Sequence, residues 1–275
     1  MTRVPSPPAE SKPGDSREYT RRREQFRRML TVYGRKPALE ALRDPALDCR
    51  TLHLASSNRE DGLVKELRQL AVRRKIRIQE HNRVELSRIS RNGKQDQGVA
   101  LDILCPGFQS LGAYLRDLGD ASASRLLALD GVTNPQNMGM SLRSARAAGL
   151  DGTLYADHGN PTLGPLVIKA SAGTVYSAPI MRCDRIPGAA RACHEAGFTL
   201  YTLEAGAEDS LFNTEFARRS LFILGGETQG VSAATKALPH TPLSIPMASG
   251  VESLNVAVSA ALVAYASRLG NQRDR

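Results

Sequence analysis

The sequence predicts an α/β protein in which a small basic α/β domain precedes a larger domain built on a mostly parallel sheet. Two observations support this fold class. Short apolar segments alternate with amphipathic ones along most of the chain, which is typical of strands separated by helices. The charge is also uneven: residues 1–105 hold 23 Lys and Arg against 14 Asp and Glu, a net charge of +9, whereas residues 106–275 hold 14 of each kind.

The composition is that of a globular protein. Hydrophobic residues make up 41% of the chain and charged residues 24%, and no run of 18 uninterrupted apolar residues suggests a membrane span. The N-terminal stretch "MTRVPSPPAESKPGD" lacks the apolar core of a signal peptide. The four cysteines form no CxxC pair and have no His partner at zinc spacing. We therefore expect a cytoplasmic protein with reduced thiols and no metal site.

The first part of the chain is expected to contain an arm and a compact domain. Pro, Ser and charged residues dominate the start, and "REYTRRREQFRRML" adds six arginines, so residues 1–28 are predicted to be a disordered basic arm. Residues 29–105 are predicted to form the basic α/β domain. Its helices are expected in "KPALEALRD", "GLVKELRQLAVRRK" and "RVELSRIS", and its strands in "CRTLHLAS", "IRIQE" and "GVALDILC". A basic domain joined to a neutral one suggests that nucleic acid is the partner.

Residues 106–122 are predicted to be a linker with a short helix, and residues 123–275 the second domain. Its strands are expected in "RLLALDGV", "GTLYAD", "TVYSAPIM", "TLYTLEA", "SLFILGGE" and "SIPM". Its helices are expected in "GMSLRSARAAGL", "PLVIKASAG", "IPGAARACHEAGF" and the segment from Val256 onward. Apolar strands separated by helices indicate a mostly parallel sheet with helices on both faces.

Three loops of the second domain could carry chemistry, because ligands bind at the carboxyl ends of parallel strands. The first, "NPQNMGM", contains Asn137 and is followed by Arg143. The second has Gly225, Gly226 and Glu227, and the third, "IPMASGVESLN", ends with Ser253 and Asn255. Taken singly, these residues could equally be helix caps or a tight turn. His158, at another strand end, is interpreted as a structural or RNA-contacting residue, and His53 as a structural one.

Taken together, the three loops resemble the motifs of the SpoU (TrmH-type) branch of the SPOUT RNA methyltransferases. The matching stretches are "NPQNMGMSLRSA", "KASAG", "LGGETQGVS" and "IPMASGVESLNVAVSAAL", and the resemblance covers about residues 124–269. The basic domain, from "VYGRKPALEAL", is similar to the substrate-binding domain that precedes many of these enzymes. That domain commonly ends with His-Gln-Gly, where this chain has Asp96, Gln97 and Gly98.

The resemblance implies a SPOUT domain with a deep trefoil knot and a homodimer formed through this C-terminal domain. It implies methyl transfer from S-adenosylmethionine to a ribose 2′-hydroxyl, with a guanosine in ribosomal RNA as the expected target. The implied catalytic residues are Arg143, Asn137, Glu227, Ser253 and Asn255. The implied cofactor-binding residues are Gly225, Gly226, Ile245, Met247 and Leu254.

Several roles and functions stay open at this point. Because a guanidinium is effectively always charged, Arg143 is expected to stabilise an alkoxide or to bind a phosphate rather than to act as a base. Asn137 is expected to orient Arg143 or the ribose, and Glu227 could pair with Arg143. The alternative functions are a transfer-RNA ribose methyltransferase, a non-catalytic RNA-binding or ribosome-assembly factor, and an NAD-binding oxidoreductase, since a glycine-rich turn also fits a dinucleotide.

Overall fold

The structure is a computed structural model that describes residues 26–120, 122–249 and 251–269. Positions 1–25 of the predicted arm therefore lie outside the described residues. The chain divides into two compact units, residues 1–106 and residues 107–275. The division falls next to the predicted end of the basic domain at residue 105.

The first unit is a four-stranded mixed sheet with helices. In chain order its elements are β1 (Met29–Tyr33), α1 (Arg35–Arg43), β2 (Asp48–Ala55), α2 (Gly62–Arg73), β3 (Arg77–His81), α3 (Arg83–Ser90) and β4 (Val99–Leu104). The strand order is β1-β4-β2-β3, where β4 is antiparallel to both of its neighbours and β2 and β3 are parallel. The sequence prediction lacked β1, whose alternating Leu30 and Val32 are buried although they follow an arginine-rich segment.

Helices α1 and α2 bury small and branched apolar side chains against the sheet, while α3 packs Leu86 on Ala55 and Ala100. Leu67 of α2 is fully buried, and burial of one such side chain stabilises the fold by roughly 1.5–3 kcal/mol. The N-termini of α2 and α3 are capped by the side chains of Asp61 and Asn82. The amphipathic pattern of "GLVKELRQLAVRRK" therefore predicted helix α2 correctly.

A row of polar side chains crosses the sheet of the first unit, with one from each strand. Thr31 donates to Asp102 (2.7 Å), and Asp102 contacts His53 Nε2 (3.0 Å). His53 Nδ1 lies 2.9 Å from His81 Nε2. Burial and the neighbouring His53 lower the pKa of His81. His53 is thus held on both ring nitrogens within the sheet, in agreement with its structural interpretation.

The second unit is a seven-stranded sheet. In chain order its elements are β5 (Phe108–Ser110), α4 (Leu111–Asp117), β6 (Ser124–Asp130), α5 (Pro135–Ala148), β7 (Gly152–Ala156), α6 (Pro165–Ala170), a 3-10 turn (Thr174–Tyr176), β8 (Ile180–Cys183), α7 (Ile186–Glu195), β9 (Thr199–Leu203), β10 (Arg219–Gly225), α8 (Ala233–Lys236), β11 (Thr241–Leu243) and α9 (Val256–Leu269). The strand order is β11-β9-β10-β6-β7-β8-β5, and each pairing is parallel. The predicted α/β class with a mostly parallel sheet is confirmed.

The structure corrects three boundaries of the sequence prediction. Residues 106–122 contain the expected short helix, α4, which buries Leu111, but they also contain a strand that was not predicted, since β5 pairs with β8 and buries Phe108. In "TVYSAPIM" the first residues form a 3-10 turn, and the strand begins only at Ile180. In "SIPM" no residue belongs to a described strand beyond an isolated bridge at Ser244, because β11 ends at Leu243.

The chain order of the strands creates a switch point beside β6. From β6 the chain proceeds through β7 and β8 on one side, and it then returns to build β9, β10 and β11 on the other side. At the end of this central pair Asp130 of β6 lies opposite Gly225 of β10. In open α/β sheets the crevice outside such a switch point is where ligands bind. The first two loops predicted to carry chemistry follow these two strands.

None of the helices in the described part of the chain combines the length and apolar character that crossing a bilayer requires.

Candidate active site

The loop after β6 is built to present Asn137 at the start of α5. The Asn134 side chain accepts hydrogen bonds from the backbone N–H groups of Gln136 (2.8 Å) and Asn137 (3.3 Å), which makes Asn134 the N-cap. Pro135 occupies the first helical turn, where its missing N–H costs nothing. Asn137 is itself 4% exposed, so its side chain is fixed within the turn.

The loop after β10 is folded tightly on its own backbone. A Cβ atom at Gly225 would lie 1.8 Å from the carbonyl carbon of Gly230, and one at Gly226 would lie 2.4 Å from the carbonyl oxygen of Gly131. Gly230 N also donates to Gly226 O at 2.9 Å. Both positions therefore leave no space for a side chain, and the paired glycines allow this loop, which carries Glu227, to close. Their expected contact with a cofactor through backbone groups stays a prediction.

The third loop ends in a helix cap, which is provided by Asn255. Its Oδ1 accepts a hydrogen bond from the backbone N–H of Ala257 at 2.9 Å, one residue inside α9. This leaves the Asn255 amide group free to donate elsewhere. Ser253, the other polar residue proposed for this helix start, is exposed and makes no hydrogen bond within the described part of the chain.

The side chains of Asn137, Glu227 and Asn255 meet although they come from three separate loops. Asn137 Nδ2 donates to Glu227 Oε1 at 2.5 Å. Asn255 Nδ2 lies 3.1 Å from Asn137 Oδ1 and 3.2 Å from Glu227 Oε1. One carboxylate oxygen therefore receives two neutral amide donors, while Glu227 Oε2 accepts no hydrogen bond from the described residues. This cluster is called the amide–carboxylate cluster below.

Arg143 does not join the amide–carboxylate cluster. It is exposed on α5 and makes no hydrogen bond or ion pair with the described residues. The suggestion that Glu227 pairs with Arg143 is therefore wrong for this structure, and so is the suggestion that Asn137 orients Arg143. Residues six positions apart on an α-helix lie about 240° apart around its axis, so Arg143 and Asn137 occupy different faces.

The apolar residues expected at the cofactor are only partly buried. Ile245 and Met247 lie in the irregular chain after β11, and Leu254 lies directly before Asn255. All three are of intermediate exposure, whereas the apolar residues of the adjoining strands are almost completely buried. Partly exposed apolar side chains are a common component of ligand-binding surfaces.

Other candidate groups show no sign of catalytic use. His158 is exposed and pairs with Asp184 at 2.7 Å. Burial raises the pKa of Cys183 and of Cys193 to about 12, which keeps these free thiols protonated and unreactive. Among the described residues no group of three His, Cys, Asp or Glu side chains is placed to hold a metal ion.

Sequence reasoning missed two polar residues that shape the site. Asp130 ends β6 and bonds to the loop after β10. Asn160 ties the loop after β7 to the ends of two strands, because its amide donates to Leu129 O of β6 (2.9 Å) and its Oδ1 accepts from Ala156 N of β7 (2.9 Å). The available signal for Asp130 was a carboxylate at the end of the apolar run "RLLALD", and for Asn160 an Asn-Pro pair after a strand.

The structure also explains the unusual aspartate in the first unit. Asp96 is 3% exposed, and its two oxygens accept from Gly98 N (2.9 Å) and from Ser90 Oγ (2.8 Å). Gln97 and Gly98 both have positive φ angles, so Asp96 stabilises a left-handed turn. Asp96 therefore has a structural role in this chain.

Comparisons with known proteins find matches over both units of the chain. The model of the SpoU rRNA Methylase family matches residues 124–265, and a model described as RNA 2'-O ribose methyltransferase substrate binding matches residues 31–104. A protein of Mycolicibacterium gilvum (strain PYR-GCK) named "Uncharacterized tRNA/rRNA methyltransferase" is 30% identical over 233 residues, which cover 84% of this chain and 74% of that protein.

Solved structures share the fold. The SpoU methyltransferase AviRb from Streptomyces viridochromogenes superposes with a TM-score of 0.62 at 21% identity and covers 95% of both chains. An AdoMet-bound rRNA methyltransferase from Sinorhizobium meliloti gives a TM-score of 0.59 at 23% identity over 90% of both chains. At these identities the likeness establishes the architecture alone.

Proposed function

The chain belongs to the SpoU rRNA methylase family, and we propose that it transfers a methyl group from S-adenosylmethionine to a ribose 2′-hydroxyl of ribosomal RNA. The observation that carries this proposal is the amide–carboxylate cluster at the switch point of the parallel sheet. The substrate-binding match over residues 31–104 supports RNA as the partner and the ribose 2′-oxygen as the acceptor. The AdoMet bound to the Sinorhizobium meliloti structure supports the cofactor.

The residues expected at the cofactor fit S-adenosylmethionine. Ile245, Met247 and Leu254 offer partly exposed apolar side chains for its adenosine and methionine parts, and Gly225 and Gly226 place backbone groups at the end of β10. When bound, the cofactor supplies a methyl group that is already activated by a sulfonium. The chain's own task is then to align the ribose hydroxyl and to accept the charge that develops on it.

Glu227 and Arg143 are proposed to divide that task. Glu227 is held through Oε1 alone, so Oε2 can accept the hydrogen of the ribose hydroxyl. Arg143 is an exposed cation without an ion pair among the described residues, so it can stabilise the developing alkoxide or bind the adjoining phosphate. Asn137 and Asn255 keep Glu227 oriented, and Ser253 is proposed to contact the ribose.

The test compares two arginines of the same helix. Purified full-length chain, labelled S-adenosylmethionine and ribosomal RNA from cells lacking the gene should give methyl transfer. Arg143→Ala should lower kcat by about 10²–10³-fold, which is typical for loss of a group that stabilises developing charge. Arg146→Ala removes an equally exposed cation one turn further on and should leave kcat unchanged. Full activity of Arg143→Ala would remove Arg143 from the mechanism.

The nucleotide is proposed to be a guanosine of ribosomal RNA. Mapping of 2′-O-methyl positions in total RNA, with and without the gene, should show one ribosomal site that disappears with the gene. Loss of a transfer-RNA site instead would assign the chain to transfer RNA. If no position changes and the purified chain still binds RNA, the non-catalytic RNA-binding function is the correct one.

A homodimer through the second unit is proposed because apolar side chains remain exposed on two helices that pack together, α5 and α9. Met140 on α5 and Val258, Tyr265 and Leu269 on α9 are 41–58% exposed. Val258 and Tyr265 are seven residues apart and therefore share one helical face. Sedimentation should give the mass of a dimer for the wild type and of a monomer for Val258→Glu/Tyr265→Glu. A wild-type monomer would contradict the proposal.

Two further parts of the proposal concern the knot, which follows from family membership, and the location in the cell. The chain between β10 and α9 is proposed to form the deep trefoil knot, and an experimental trace of residues 219–269 would check its threading. A cytoplasmic location is proposed because all four cysteines are free, as expected in a reducing compartment.

A further inference from the structure

Asp130, the last residue of β6, holds both ends of the loop that follows β10. It is 7% exposed, and its Oδ2 accepts three hydrogen bonds: from Ser232 N (3.0 Å), Ser232 Oγ (2.6 Å) and Thr235 Oγ1 (2.8 Å). Its backbone carbonyl accepts a fourth, from Gly226 N at 2.9 Å. A single residue therefore holds the start of the loop at position 226 and its end at position 232.

The middle of the same loop is held by Asn137, which follows Asp130 by seven residues in the chain. The Asn137 amide donates a hydrogen bond to Glu227, which lies inside the loop. Residues 228–230 of the loop are exposed, whereas Val231 is buried in the core of the unit. Hydrogen bonds to a charged acceptor are about twice as strong as neutral ones. The Asp130 carboxylate, with three such bonds, is accordingly a strong restraint on the end of this loop.

We infer that Asp130 is a positioning residue for methyl transfer, an inference that rests on the proposed function. Its backbone carbonyl holds Gly226, and its carboxylate holds Ser232 and Thr235. Asp130 would therefore act by fixing the two ends of the loop that carries Glu227 and that begins where the cofactor is proposed to bind. Loss of its charge should therefore weaken S-adenosylmethionine binding and slow the reaction, while RNA binding by the first unit should change little.

The decisive variant is Asp130→Asn, which keeps the shape but removes the charge and one acceptor oxygen. We expect the Kd for S-adenosylmethionine to rise at least about tenfold, which is about 1.4 kcal/mol, and kcat to fall by a similar factor. The KM for RNA should stay within about twofold of wild type, which corresponds to less than 0.5 kcal/mol. Hydrogen exchange of residues 226–232 should become faster.

A matched control is available at the opposite end of the same sheet. Asp151 Oδ2 accepts one hydrogen bond, from Arg125 N at 2.7 Å, and Asp151→Asn removes a carboxylate charge at the other end of β6, away from the loop. This variant should leave the Kd for S-adenosylmethionine and the exchange of residues 226–232 unchanged. A purely structural role for Asp130 predicts that both variants lower the melting temperature and leave the Kd of the folded protein alone.

Milder variants keep the test decisive if Asp130→Asn folds poorly. Thr235→Val and Ser232→Ala each remove one hydrogen bond to Asp130. Each should raise the Kd for S-adenosylmethionine, as Asp130→Asn does. Because the bonds belong to one network, Asp130→Asn/Thr235→Val should weaken binding by less than the product of the single effects. If wild type methylates RNA and these variants bind cofactor within about threefold of it, the inference is overturned alone. If wild type neither binds cofactor nor methylates, the proposed function and the inference are overturned together.

Discussion

Replacing Asn137 by aspartate tests whether neutral amides hold Glu227 in place. The change is isosteric, but it converts the donor at 2.5 Å from Glu227 Oε1 into a second negative oxygen. Asn255 Nδ2 would still donate to both side chains, so the geometry around the pair is otherwise kept. The variant therefore turns one attractive contact into a repulsive one while the other contacts of the cluster stay in place. We expect it to push the loop that carries Glu227 away from α5.

The size of the effect follows from the distance. Two unit charges 2.5 Å apart repel each other by about 1.7 kcal/mol in bulk water and by about 7 kcal/mol at an effective dielectric constant of 20. Glu227 is exposed but Asn137 is buried, so the value in water is a lower bound on the repulsion. The lost hydrogen bond adds about 0.5–1.5 kcal/mol. The sum is at least about 2–3 kcal/mol, which corresponds to a change of about thirty- to 160-fold in an equilibrium constant.

Titration calorimetry with S-adenosylmethionine measures this change, with the melting temperature as a second readout. Asn137→Asp should weaken binding by about thirtyfold or more. The double variant Asn137→Asp/Glu227→Gln reverses donor and acceptor, because the amide introduced at position 227 can donate to the carboxylate introduced at position 137. It should therefore restore the affinity to within about threefold of wild type. Glu227→Gln alone should bind nearly normally, since an amide oxygen still accepts from Asn137.

Two outcomes would contradict control of the loop by this contact. If Asn137→Asp binds like wild type, the contact at 2.5 Å does not control the loop. If the double variant is as weak as the single one, charge repulsion is not the cause of the loss. A methyl-transfer assay on the double variant tests the role of the Glu227 charge. A double variant that binds S-adenosylmethionine normally but does not methylate RNA would show that this charge is needed in the reaction itself.

The remaining predictions concern one loop and the first unit. Gly226→Ala should weaken S-adenosylmethionine binding at least about tenfold in calorimetry, because its Cβ would lie 2.4 Å from Gly131 O; unchanged affinity would show that the loop is not closed as described. Asp96→Ala should destabilise the first unit by about 1–3 kcal/mol in urea denaturation followed by circular dichroism, because two buried donors lose their acceptor. The lowered pKa of His81, caused by burial and by His53, means that the unfolded chain binds the proton more tightly. Stability should therefore fall as the pH drops below about 6.5, and less so in His81→Gln; equal slopes would contradict the assignment.

The sequence predicted the helices and strands whose apolar residues follow a recognisable pattern. It missed the short strands that form because a neighbouring strand offers them an edge. The amphipathic spacing of α2 and the apolar runs of β6 and β10 identified these elements correctly. Strand β5 has only three residues, too few for a pattern, and it exists because β8 offers it a parallel edge. Strand β1 had an alternating pattern, but the neighbouring arginines favoured a solvated arm.

The candidate site shows the same limit at the level of side chains. Strand ends and loop order were enough to expect Asn137, Glu227 and Asn255 at one edge of the sheet. They were not enough to select partners, since an Arg–Glu pair is the usual expectation wherever opposite charges share a site. The helical position of Arg143, about 240° from Asn137, already argued against a shared partner. Asp130 was overlooked because its donors, Ser232 and Thr235, lie more than a hundred positions away.

The Glu227 carboxylate is held by amides instead of by a cation, and this has a chemical consequence. Had Arg143 paired with Glu227, each would have neutralised the other, and neither could serve a reacting hydroxyl. Two neutral donors fix the carboxylate without cancelling its charge, and one of its oxygens stays without a hydrogen bond from the described residues. A ribose hydroxyl that loses its proton needs an acceptor for the proton and a positive group for the oxygen left behind. Glu227 keeps an oxygen that can accept the proton, and Arg143 keeps a charge without an ion pair among the described residues, so the absence of an Arg–Glu pair is compatible with the two roles proposed for them.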